Sequence, residues 1–419
     1  MNLWVKINSR RRYGGVRRAD VPSAAKRLDR HNPLLHTSPP GGCRQDHAHL
    51  SWACHSGDFL TREDEECDLF DAGDFQEILS GRRRGVGASV LRGVLRVGEA
   101  FYTAAIRGRN RRYDGARATI HRVGVPVVSV GNLTLGGTGK SPLVRWLGRW
   151  FSDHGVRVAV VSRGYGATAG QPNDEARELQ QSLPKVPHLQ NSDRVAAARQ
   201  AVAACGAQVI VLDDGFQHRR LGRDLDIVLL DALEPFGFGH VFPRGWLREP
   251  VEGLRRADVV VLSRADLLAA ADRAALWPTI RRYAPQAVGA EVIHAPRRLI
   301  SAAGAEMPLE AVRGQPVAAF CGIGNPAAFR RTLEACGCRI LGLRTFPDHH
   351  RYTPAELDRL SAWADGLGAA SLLCTGKDLV KLSAADVGDR PLWAVAIEIE
   401  FLTGRESLEA HLLPLCRTA

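Results

Sequence analysis

Hydrophobic positions along the chain follow two rhythms. Between Gly85 and Arg112 they step by three and four. Val90, Val94, Val97, Phe101 and Ala105 line one helical face, and Leu91, Leu95, Tyr102 and Ile106 widen it. Arg82, Arg83, Arg84, Arg92, Arg96, Arg107, Arg109, Arg111 and Arg112 surround that face. A basic amphipathic helix of this kind suits either the headgroup region of an anionic membrane or the surface of its own domain. Further on, short β-branched runs occur at 125–130, 156–161, 209–212, 227–230 and 259–262, mostly separated by helix-compatible stretches. That alternation predicts an α/β fold with a mostly parallel sheet flanked by helices. A second set, at 317–320, 340–343, 372–374 and 393–399, predicts a smaller α/β lobe. The segment 294–300 is expected to join the two. The expected organisation is an extension over 1–75, the amphipathic helix region over 76–115, a main α/β domain over 116–293 and a C-terminal α/β lobe over 294–419.

Composition refines this picture at a few points. With 45% apolar and 24% charged residues the chain has the balance of a globular protein. The net charge of +11 calls for an anionic partner without choosing among nucleic acid, membrane surface and phosphorylated substrate. The first 75 residues lack periodicity and read as a disordered extension. Cys43, His47, His49, Cys54, His55 and Cys67 cluster there, but without a CxxC pair, so they read as part of a polar tail rather than a zinc site. The nine cysteines are spaced irregularly, unlike a secreted disulfide scaffold. No stretch approaches the ~20 apolar residues of a spanning helix, and no signal peptide is evident at the start. The catalytic body is therefore expected in the cytoplasm.

The chemistry begins where the 125–130 run meets Gly131-Asn-Leu-Thr-Leu-Gly-Gly-Thr-Gly-Lys-Ser141, with a helix-like segment following. Strand, glycine-rich turn, Lys-Ser and helix form the order of a P-loop, with Thr134 where the usual motif has glycine. Backbone N–H groups from Thr134, Leu135, Gly136, Gly137, Thr138 and Gly139 would cradle the phosphates of ATP. Lys140 would reach the β- and γ-phosphates, and the Ser141 hydroxyl would ligate Mg²⁺. A second strand ends in Asp213-Asp214, the position from which nucleotide-binding sheets present an acid to the metal. Adjacent strand residues point to opposite faces, so the two acids are expected to differ in role. Gln217, His218, Arg219 and Arg220 form a polar cluster just beyond them.

These residues carry a resemblance. Val-Gly-Asn-Leu-Thr-Leu-Gly-Gly-Thr-Gly-Lys-Ser-Pro (130–142) resembles the opening motif of the tetraacyldisaccharide 4'-kinases. Ser-Arg-Gly-Tyr-Gly (162–166), Asn-Asp-Glu (173–175) and Leu-Asp-Asp-Gly-Phe-Gln-His (212–218) follow in the family's order. So do Phe-Pro-Arg-Gly-Trp-Leu-Arg-Glu-Pro (242–250), Phe-Cys-Gly-Ile-Gly-Asn-Pro (320–326), Phe-Pro-Asp-His-His-Arg-Tyr (346–352) and Thr-Gly-Lys-Asp (375–378). The resemblance implies transfer of phosphate from MgATP to the 4'-hydroxyl of an acylated glucosamine disaccharide 1-phosphate, a lipid A precursor. It implies a peripheral protein at the cytoplasmic face of the bacterial inner membrane, and two α/β/α lobes with the active site between them. An anionic membrane surface is then the expected partner of the amphipathic helix, with no nucleic acid and no obligate protein partner.

By the same resemblance Asp174 is the general base and His349 its supporting partner, with His350 the alternative. Glu175 belongs to the same motif. Asp213, Asp214 and Glu249 are acids near the metal, Arg248 neutralises phosphate charge, and His218 is a site residue without an assigned role. Asn173 stands where the family has Gly, and Gly376 where it commonly has Glu. The competing reading is a P-loop GTPase or metal-chaperone nucleotide switch, for which Ser263-Arg-Ala-Asp266 would supply a base-reading carboxylate.

Overall fold

The structure, a computed structural model, describes residues 72–115, 117–164, 174–382 and 390–417. The cysteine- and histidine-bearing stretch at 43–67, and Tyr165, Gly166 and Asn173, lie outside the described residues. Helix α1 (Ala72–Ser80) begins inside the segment expected as an extension. Ile78 and Leu79 account for that, because both are buried, and Arg244 donates to the Leu79 carbonyl at 2.8 Å.

Helix α2 (Val86–Asp114) runs 29 residues, about 43 Å at the usual rise. Its inner side is tied to the body by polar contacts. Glu99 accepts from the Val241 N–H at 2.8 Å, Tyr102 donates to the Arg248 carbonyl, and Arg109 donates to the Gln217 carbonyl at 2.6 Å. Its outer side exposes Val86, Val90, Val94, Val97 and Phe101, the last at 75%. No helix among the described residues is long and apolar enough to cross a membrane.

The chain then alternates through β1 (Val127–Asn132), α3 (Lys140–Asp153), β2 (Val158–Ser162), α4 (Asp174–Ser182), β3 (His188–Gln190), α5 (Arg194–Cys205), β4 (Val209–Asp213), β5 (Leu225–Asp231) and β6 (Val259–Ser263). Every residue of β1, β2 and β6 is buried, which is why they read as unbroken apolar runs: helices cover both faces. Helix α6 (Ala270–Tyr283) leads into β7 (Val288–Ile300). The second half follows as β8 (Glu306–Pro308), β9 (Pro316–Cys321), α7 (Pro326–Ala335), β10 (Arg339–Thr345), α8 (Pro354–Gly366), β11 (Ser371–Thr375), α9 (Gly376–Leu379), β12 (Leu392–Thr403) and α10 (Arg405–Arg417).

The two halves share one sheet, ordered β10-β9-β11-β12-β7-β6-β5-β1-β4-β2-β3, with β8 on β7. All neighbours are parallel except β12 with β7 and β7 with β8. The division expected at 293/294 therefore falls inside a strand. Pro296 is accommodated beside a one-residue bulge in β7: Ala396 pairs with Arg298 and Ile397 with Pro296, leaving Arg297 as the extra residue. One large core packs Leu143, Leu147 and Phe151 of α3 against the sheet, together with Leu408 and Leu412 of α10.

Two histidines are folded into this body as neutral groups. Burial pushes His188 on β3 down to about 4, its Nε2 lying 2.9 Å from the Ser162 hydroxyl. Burial, then Arg264 and Arg145, pushes His294 on β7 down to about 4. The unfolded chain binds both protons near pH 6.5, whereas the folded chain refuses them until about 4. Their contribution is thus fully present above about 6.5 and is lost as pH falls towards about 4. Thermal unfolding is expected to move to lower temperature between pH 7 and pH 5, and His188→Gln should make that dependence shallower. An equal slope in the variant would remove His188 from the account.

Candidate active site

The phosphate loop leaves β1 at Asn132, and its shape is fixed from several sides. Asn132 donates to the Thr134 carbonyl at 2.7 Å and accepts from the Lys140 ammonium at 3.0 Å. The stretch 133–135 is paired with 246–248: the Leu135 N–H donates to the Trp246 carbonyl and the Arg248 N–H to the Leu133 carbonyl, each at 2.7 Å. Ser263, at the end of β6, donates to the Thr138 carbonyl, and Arg264 donates to the Gly137 carbonyl, both at 2.8 Å. Those carbonyls are thereby turned outward, which leaves amides beyond Leu135 for a ligand; the Leu135 N–H, expected to join the cradle, is spent on the Trp246 carbonyl instead. Gly139 caps α3 in the left-handed region at φ 82° with no side-chain hydrogen bond to the helix start. The first N–H groups of α3 thus lack a side-chain cap, the arrangement that binds phosphate. A side chain at Gly139 would meet the His294 ring within 2.3 Å.

The acids at the end of β4 differ in a way that strand alternation did not anticipate. Asp213 is the last residue of the strand, but Asp214 has left it, turning into the left-handed region at φ 52°. There it accepts from Arg248 at 2.8 and 2.9 Å and lies 3.4 Å from the Lys140 ammonium. Burial raises Asp214, but Lys140 and Arg248 outweigh it and hold the carboxyl below its ordinary value. Burial pushes Asp213 up to about 6 against the pull of Lys140, and its Oδ1 is buried without a partner. An orphaned carboxylate oxygen beside the phosphate loop is what a divalent cation would satisfy. No group of three or more His, Cys, Asp or Glu that could hold a metal ion occurs among the described residues. A magnesium ion here would therefore rest on Asp213, Ser141 and phosphate oxygens, a donor set that suits it.

Glu249 is buried and engaged on both oxygens. Gln217 and Arg256 donate to Oε1 at 3.0 and 2.8 Å, and Asn110 of α2 donates to Oε2 at 3.0 Å. Gln217 also donates to the Asn132 carbonyl, which links this cluster to the phosphate loop. His218 is pushed down to about 4 by burial, then by Arg194 and Arg109. Buried Arg194 donates to the Asp214 carbonyl at 3.2 Å.

Asp174, on the first half, is met by residues of the second half of the chain. Asp174 opens α4, and His349, in the left-handed region at φ 61°, places Nδ1 3.7 Å from Asp174 Oδ2. His350 faces elsewhere: its Nε2 lies 3.2 Å from Glu356, and its ring stacks on Phe346. Lys377 lies 3.7 Å from Glu175, and Lys381 lies 3.9 Å from Asp174.

The family model for tetraacyldisaccharide-1-P 4'-kinases matches residues 91–417. The chain belongs to that family. Proteins named tetraacyldisaccharide 4'-kinase resemble it over most of their length. One from Anaeromyxobacter sp. (strain Fw109-5) is 42% identical over 357 residues, covering 80% of this chain and 95% of the relative. Another, from Syntrophus aciditrophicus (strain SB), is 38% identical over 333 residues, covering 73% and 88%. Among solved structures, the "apo" form of LpxK from Aquifex aeolicus in complex with ATP is 28% identical. It has a TM-score of 0.63 and covers 78% of this chain and 99% of that one. The fold and the kinase class therefore stand together.

Within this 4'-kinase framework several residues escaped the sequence reading. Ser263 and Arg264 drew notice as part of a base-reading turn; their side chains instead brace the phosphate loop. His294 and Lys381 gave no signal, because each acts through a partner distant in sequence; Asn132 stood in the 130–142 motif but without a role, which its short local bonds supply. Replacing Gly139 by alanine should strain a left-handed residue by about 1–2 kcal/mol and drive a methyl into the His294 ring. At least tenfold weaker ATP binding is expected in a calorimetric titration, and wild-type affinity would contradict this account of the loop.

Proposed function

We propose that the chain transfers the γ-phosphate of ATP to the 4'-hydroxyl of an acylated glucosamine disaccharide 1-phosphate at the cytoplasmic face of the bacterial inner membrane, forming the 4'-phosphorylated lipid A precursor. The observation that carries this reading is the approach of Asp174 and His349, from opposite halves of one sheet, on the side where Glu175 is close enough to Asp213 for their charges to interact. The halves serve as two lobes of one cleft, with the nucleotide on the loop and the sugar against Asp174.

In that cleft Asp174 accepts the 4'-hydroxyl proton while the sugar oxygen forms its bond to the γ-phosphorus. The bond from that phosphorus to the bridging oxygen breaks, and ADP carries the electron pair away. A carboxylate is a weak base for an alcohol, so the proton moves late, and His349 orients the acceptor and shares its new proton. Lys140 and Arg248 face the charge that gathers on the transferring and leaving oxygens. Ser141 and Asp213 would hold magnesium, which would supply further neutralisation of the phosphate oxygens. Asp214 holds both cations in place, Glu249 holds Gln217, and neutral His218 adds a donor among arginines.

The exposed apolar stripe of α2 supports a membrane role, since its inner side is already occupied by the body and Arg96, Arg107 and Arg111 flank the helix. Burying a Val or Phe side chain in lipid contributes roughly 1.5–3 kcal/mol.

Two measurements test these assignments. With labelled ATP and the disaccharide lipid in detergent, Asp174→Ala should lose activity by about 10²–10⁴-fold yet still bind ATP, whereas Lys140→Ala should lose both; full turnover in Asp174→Ala removes the base. In flotation with vesicles containing anionic lipid, the combined change Val90→Ser, Val94→Ser and Phe101→Ser should abolish association while detergent-phase activity persists. Undiminished flotation ends the interfacial reading.

A further inference from the structure

Asp378 lies at the centre of the C-terminal half with none of its surface exposed. It accepts from the Gly322 N–H at 3.1 and 3.2 Å, from the Tyr352 hydroxyl at 3.0 Å, from the Thr375 hydroxyl at 2.6 Å and from the Lys381 ammonium at 3.3 Å. A carboxylate with that many donors is locked in place. Lys381 is locked with it. Its side chain is 6% exposed, and the ammonium lies 6.0 Å from the centre of the Tyr352 ring. Burying a lysine this deeply is costly unless its charge is paired. Asp378 satisfies one direction of the ammonium, and the second carboxylate in reach is Asp174, at 3.9 Å from Lys381 to Oδ2. That is the same oxygen that His349 approaches.

We propose that Lys381 is a positioning residue for the phosphoryl-transfer reaction. Braced on immobile Asp378, it fixes the Asp174 carboxylate at the junction between the two halves of the sheet, while the exposed side chain of His349 approaches the same oxygen. The inference rests on Asp174 being the base. The two histidine and lysine contacts are unequal in kind: His349 is 62% exposed, whereas Lys381 is enclosed. The lysine thus supplies the fixed reference and the histidine the adjustable one. Lys381 does not touch substrate; it acts by restricting where the proton acceptor sits.

A double-mutant cycle on the full chain tests this. Lys381→Gln keeps a donor for Asp378 but removes the charge. It is expected to lower kcat on the order of 10–100-fold, with KM for ATP changed less than about twofold. In an Asp174→Asn background the same substitution should lower kcat no further, because its effect passes through the carboxylate. Wild-type kcat in Lys381→Gln would overturn the inference and leave the base assignment intact, as would an equal loss in both backgrounds, the mark of a general structural role. Full activity of Asp174→Asn would overturn the base assignment, and this inference with it. Thermal unfolding monitors the fold. Should Lys381→Gln fail to fold, Lys381→Arg carries the same cycle, with a smaller loss in kcat expected and, again, none in the Asp174→Asn background; an equal loss in both overturns the proposal.

Discussion

The antiparallel pairing of Val288–Ile300 with Leu392–Thr403 is the contact on which the rest of the molecule depends. Without it the chain would hold two parallel sheets, each covered by its own helices and neither carrying a complete site. The ladder from Glu291 opposite Thr403 to Ile300 opposite Ala394 makes them one plane. A slip of one residue would send each side chain of these strands to the other face. His294 would leave Gly139, and the segment that carries Asp378 and Lys381 would shift against Asp174.

Around that ladder the structure uses polar contacts to hold backbone rather than to add stability in general. Thr138 and Gly137 point their carbonyls at Ser263 and Arg264, and Leu133 and Leu135 pair with Arg248 and Trp246. Each neutral bond contributes roughly 0.5–1.5 kcal/mol in net stability. Their shared effect is on shape: with the carbonyls of Leu133, Thr134, Gly137 and Thr138 engaged, the loop is held in one form before any nucleotide arrives.

Much of this was legible in the sequence, for identifiable reasons. The runs at 209–212 and 259–262 are uniformly apolar because both faces of the sheet are covered, so β4 and β6 stood out with little context. The phosphate loop was equally plain, since its chemistry is local to 134–141. Asp214 was misplaced because strand alternation assumes the strand continues, and a left-handed turn ends it one residue earlier. Strand β7 read as a linker because Pro296 argues against a strand unless the bulge at Arg297 beside it is seen. Lys381 was invisible because its meaning lies in two carboxylates, one of them more than two hundred positions away, and no periodicity connects them.

Asp214 gives the phosphate site a character of its own. Its carboxylate sits between Lys140 and Arg248, so both cations already have a counter-ion before any triphosphate arrives. An incoming nucleotide must draw them away from that carboxylate, and part of the attraction is spent in the exchange. The discount applies equally on departure: once ADP loosens, the two cations have an anion to return to. Such a stand-in trades tight holding for turnover, which serves a catalyst that must let its product go.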